Sequence, residues 1–167
     1  MLIKIPISIL FCAIVFLSAG AQCKYLDATT IRRLAKSSYS SKMDRLHQKG
    51  AEQAIVNKIN DCQFNTFVAC QNYIGDEKWH WAEIISFNSC DKILTYSTSN
   101  QAHFSNIKST LTKSYKSIGH RTYDQLAFEV YQDKKGSVIE INKHSNEEGI
   151  MFYLINIMKT RTLERKK

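Results

Sequence analysis

The chain has 167 residues, with 23 Lys and Arg against 15 Asp and Glu, for a formal charge of +8. Pro6 is the only proline, and no Pro-rich or Gly-rich linker divides the sequence, which excludes a two-domain layout and leaves one domain with one core. A basic balance of this size points to acidic or anionic partners.

Residues 1–21 read as a secretory signal peptide. Lys4 supplies the positive start, Ile5 to Leu17 is almost wholly apolar, and Ala19-Gly20-Ala21 offers small side chains to signal peptidase. The apolar run is shorter than the roughly 20 residues that span a bilayer. The alternatives are an uncleaved anchor or a lipoprotein acylated at Cys23, although Gln22, not a small residue, precedes that cysteine. Cleavage would leave residues 22–167, with basic tail 159–167. Loss of Lys4 lowers the formal charge from +8 to +7, and loss of Cys12 leaves Cys23, Cys62, Cys70 and Cys90. An even number of cysteines in an exported chain fits two disulfides. The expected location is periplasmic or secreted.

Asp27 can cap a helix from Ala28 to Lys36, with Ile31 and Leu34 inward. Ser41 can cap a second helix that turns Met43 and Leu46 inward and stops at Gly50. Residues 51–60 fit a helical face through Ala51, Ala54, Ile55 and Ile59 better than a strand. Strand patterns follow at Phe64–Gln71, Trp79–Asn88 and Lys92–Thr98; Trp79, Trp81, Glu83, Ile85 and Phe87 share one face of the second. Asn100 or Ser99 can cap a helix from Ala102 to Lys116 carrying the stripe Phe104, Ile107, Leu111 and Tyr115, ended by Gly119. Three more strands are expected at Tyr123–Gln132, Ser137–Lys143 and Ile150–Met158, with Asp133-Lys134-Lys135-Gly136 as a hairpin turn.

The sequence thus predicts an α+β domain: two helix-β-β-β units, about 24–98 and 99–158, forming an antiparallel sheet of about six strands with helices on one face. This order of elements resembles the tandem-repeat layout of the β-lactamase inhibitor protein and of other small exported bacterial proteins. The resemblance carries no residue motif, so it transfers no site.

If the first hairpin loop centres on Gly75-Asp76, residues whose numbers sum to about 152 lie opposite one another. Cys62 and Cys90 then sit within disulfide reach. Cys70 faces Ala82, which leaves it to pair with Cys23.

His47, His80, His103, His120 and His144 are scattered without metal-site spacing, and no cofactor motif occurs, so neither metal nor cofactor is expected. Tyr73, Trp79 and Trp81 are candidate interface anchors, and Lys108, Lys113, Lys116 and Arg121 candidate contacts for an acidic protein partner. No nucleic-acid motif appears. These features suggest a non-enzymatic binding protein of the bacterial envelope, most concretely an inhibitor or immunity protein that blocks a toxin or hydrolase. The alternatives are a small secreted hydrolase such as a basic nuclease, using residues such as His80, Glu83 and His120, and a receptor for a small ligand or wall fragment.

Overall fold

The computed structural model describes residues 25–59, 61–73, 79–90, 93–123, 125–145 and 149–159, with only the backbone considered at 71–73 and 79–82. Residues 1–21, expected to be a signal peptide, Cys23 and the tail beyond Lys159 lie outside these residues. Among the described residues there are three helices, α1 (Ala28–Lys36), α2 (Tyr39–Gln48) and α3 (Gln101–Thr112). They accompany eight strands: β1 (Glu52–Ile59), β2 (Cys62–Tyr73), β3 (Trp79–Asn88), β4 (Ile93–Thr98), β5 (Lys116–Tyr123), β6 (Leu126–Gln132), β7 (Val138–Ser145) and β8 (Met151–Met158). None of these helices is long and apolar enough to cross a membrane.

The helix starts follow from their caps. Asp27 Oδ1 accepts from the Thr30 amide at 2.7 Å, and Asn100 Oδ1 from the His103 amide at 3.0 Å. The second helix starts earlier than expected. Ser38, not Ser41, is its N-cap, because Ser38 is extended and accepts from the Ser41 amide. Arg32 of α1 donates to the carbonyls of Thr110 and Leu111, so a cation meets the C-terminal end of α3.

The sheet is antiparallel throughout, in the order β1-β2-β3-β4-β8-β7-β6-β5. Two four-stranded meanders therefore meet where β4 pairs with β8, and their first strands, β1 and β5, form the two outer edges. The expected count of six falls short by these two strands. Residues 52–59 form β1 rather than a helical face, and Lys116–Tyr123 forms β5, with Gly119 inside the strand rather than ending a helix. The two edges are built alike. Each has an irregularity after its second residue, at Gln53/Ile55 and at Ser117/Gly119, and each enters its hairpin through a residue of positive φ, Asp61 (65°) and Gln125 (70°).

The largest hydrophobic cluster involves one face of the sheet, and Val68, Phe128 and Val130 are buried on the other. Phe67, Ile85, Phe87, Leu94, Tyr96, Ile139, Ile141, Ile155 and Ile157 are buried and cluster with Ile31, Leu34, Leu46, Phe104, Ile107 and Leu111 from the helices. Their period of two along each strand, and three or four along each helix, is what these sequences offer. The second hairpin turn forms as its residues dictate: Gly136 at φ 81° donates to the Asp133 carbonyl, and Asp133 Oδ1 accepts from Lys135 and Ser137.

Candidate functional site

The first hairpin keeps the expected register from Phe64↔Asn88 to Val68↔Ile84, and Cys62 and Cys90 form a disulfide across its open end, with Cα atoms 5.5 Å apart. An irregularity around Cys70 places it opposite Glu83 rather than Ala82. Cys70 is buried and also disulfide-bonded.

Glu83 is the most perturbed acid. It is wholly buried on the core face, and both carboxylate oxygens accept from the Leu26 amide at 3.0 Å. His103 Nε2 lies 3.6 Å from Oε1 and 3.1 Å from the Leu26 carbonyl, while the His103 ring packs on Tyr25. The Tyr96 hydroxyl is buried nearby without a well-formed hydrogen bond among the described residues. Burial pushes the Glu83 carboxyl up to about 7, against the stabilising amide of Leu26. Burial also raises the Tyr96 hydroxyl, and the Glu83 charge adds to this; burial pushes the His103 imidazole down. Glu83 and Tyr96 are buried while His103 and Tyr25 are partly exposed, and the bonds of Glu83 and His103 to the backbone of Leu26 tie the chain ahead of α1 to β3 and α3.

Of the residues suggested for a hydrolase, the two whose side chains are described, Glu83 and His120, stand apart. Glu83 points into the core from β3, and His120 lies on edge strand β5. Four strands separate β3 from β5, or about 24 Å at the usual spacing. The side chain of His80 is outside the described set, as are those of Tyr73, Trp79 and Trp81.

The four candidate cations also part company. Lys108 Nζ bonds Glu129 Oε2 at 2.6 Å, and Tyr131 donates to the same oxygen at 2.8 Å. The Lys108 bond is the main reason the Glu129 carboxyl sits below its ordinary value. Arg121 reaches a different acid. Its Nη1 and the Tyr123 hydroxyl both donate to Glu140 Oε1 at 3.1 Å. Register puts Glu129 beside Ile141 on the core face and Glu140 beside Val130 on the other, so these two cations serve opposite faces. Lys113 and Lys116 are exposed.

The far face, opposite the core, carries a polar row that sequence reasoning missed. Thr66, Ser86, Thr95, Asn156 and Glu140 are successive register partners across β2, β3, β4, β8 and β7. The Thr66 and Ser86 hydroxyls lie 3.0 Å apart, and Thr95 donates to Asn156 Oδ1 at 2.9 Å. Phe64 and Ile93, 37 % and 38 % exposed, flank the row and line a shallow recess of about 170 Å³ with Thr66, Ser86 and Thr95. The only signal in the sequence was a polar residue at the non-core position of each of these strands. Among the described residues, no group of three or more His, Cys, Asp or Glu is placed to hold a metal ion.

Comparison with protein-family models, curated proteins and solved structures gives no significant match.

Proposed function

We propose that the chain is an exported, non-enzymatic binding protein, most concretely an inhibitor or immunity protein of the bacterial envelope, which docks an acidic protein on the far face of its sheet. In this reading the helices cover the core face, and the part-exposed Thr66, Ser86, Thr95 and Asn156 on the other are left for a partner, while Phe128, Val130, Glu140 and Asn142 are buried on its β6–β7 side. The polar row flanked by Phe64 and Ile93 carries the proposal. Hydrogen-bonding groups mixed with part-exposed apolar side chains across several strands are the composition of a protein interface. The excess of Lys and Arg supports the acidic character of the partner, and the Cys62–Cys90 disulfide agrees with export.

The test is capture of a partner from an envelope extract by wild-type protein and by Ser86→Glu and Thr95→Glu. Both substitutions place a long anion on the far face against an acidic partner, and both should abolish capture without unfolding the domain. Capture that survives both would remove the far face as the interface.

A further inference from the structure

We propose that the corner between α1 and α2 is a phosphate-binding site centred on Lys42. The cavity there measures about 310 Å³ and is lined by Lys36, Ser37, Ser38, Lys42, Ser89 and Lys159, among others. That volume lies at the lower end of small-ligand pockets.

Lys42 is the unusual member. It is 4 % exposed, one turn before the buried Leu46 on the inner side of α2. Lysine is almost never buried to this degree without a counter-charge. Among the described residues no carboxylate pairs with it, and its ammonium lies 5.2 Å from the centre of the Phe87 ring. Burial alone accounts for the downward shift of its ammonium from the ordinary lysine value. A leucine or methionine could pack on Phe87 at no electrostatic cost, so the charge needs another account. The cavity supplies one.

Every other contribution has the same sign. Lys36 and Lys159 are exposed cations on the rim, and no acidic residue lines the cavity among those described. The N-terminus of α2 opens here. Ser38 occupies the Ser41 amide with its hydroxyl and the Lys42 amide with its carbonyl, and the first turn presents its positive end to the cavity. The hydroxyls of Ser37 and Ser89 add polar groups, although each already has one partner. One buried ammonium, two rim ammoniums and a helix N-terminus together match a doubly charged tetrahedral anion better than a single carboxylate. The ligand class is a phosphate group, free or carried as a monoester on a larger molecule.

The experiment titrates the folded protein, in chloride of constant ionic strength, with inorganic phosphate and separately with glycerol phosphate. Heat and the amide resonances of Tyr39 and Ser40 are followed. Saturable binding that moves both resonances is expected. Lys42→Met, which keeps the packing on Phe87, should weaken it about tenfold or more. Should Lys42→Met fail to fold, Lys36→Gln with Lys159→Gln alters only exposed side chains and should still weaken binding several-fold. Binding of both probes assigns the site to free phosphate, and binding of glycerol phosphate alone assigns it to a carried monoester. Absence of saturable binding by either probe, or equal binding by wild type and variants, would overturn the proposal.

Discussion

Glu83 is the residue whose chemistry most directly reaches a measurable property. Its carboxyl is held near 7 in the folded chain and would return to about 4.5 on unfolding. Between these values the folded state holds a proton that the unfolded state has released, so the contribution of Glu83 is fully present below about 4.5 and is lost as pH rises through 7. The loss is on the order of 3 kcal/mol. His103 acts in the opposite sense: its lowered value makes the folded state resist protonation, so its contribution is lost as pH falls below the ordinary histidine range. Glu83 has the larger shift and sets the slope near neutrality. Glu83→Gln keeps one oxygen to accept from the Leu26 amide and removes the titration. Thermal melts from pH 5 to 8 should show a declining midpoint for wild type, and for Glu83→Gln a midpoint that no longer declines and, with His103 left to act, rises slightly with pH. Parallel curves would mean that Glu83 stays ionised in the core.

The first hairpin is the element on which most of the disulfide chemistry rests. Cys62–Cys90 spans a sequence separation of 28, for which chain entropy gives about 3 to 4 kcal/mol. Cys62→Ser with Cys90→Ser should lower the melting midpoint by roughly 10 °C for a chain of this size. For Cys70 the Glu83 anchor indicates the partner. Leu26 is bonded to Glu83, the register partner of Cys70, and Cys23 stands three residues before Leu26, within about 10 Å of chain. Non-reducing peptide mapping should therefore show a Cys23–Cys70 peptide beside the Cys62–Cys90 one. A Cys12–Cys70 link would contradict both the anchor and cleavage after Ala21. These elements also show what a sequence reveals. Caps and tight turns are local, so Asp27 and Asp133-Lys134-Lys135-Gly136 could be read directly, while the sequence left Asn100 open against Ser99 and offered Ser41 where Ser38 caps. The alternation Glu83, Ile85, Phe87 marked the core face, because burial imposes a period of two. Strands β1 and β5 were missed because every residue in each is exposed, and an outer edge imposes no such period. In β1, Ile55 and Ile59 stand four apart and imitate a helix stripe; in β5, Gly119 imitates a helix stop. Lys42 gave no signal either, since its burial comes from Phe87 of a distant strand.

At the scale of the whole molecule, the two meanders give one continuous eight-stranded sheet whose far face crosses from the first unit to the second through the β4–β8 seam. A partner docked there would touch both units at once. Its attraction to an excess of basic side chains should be screened over about 8 Å at physiological salt, so affinity should fall as salt is added. An affinity unchanged between low and high ionic strength would exclude an acidic partner held by charge. The most direct test of the docking proposal places a photo-activated crosslinking residue at Thr95 on the far face, or at the exposed Ser109 on α3, and irradiates each protein with the captured partner. The account predicts a covalent adduct from position 95 and none from position 109. An adduct from position 109 alone would contradict it.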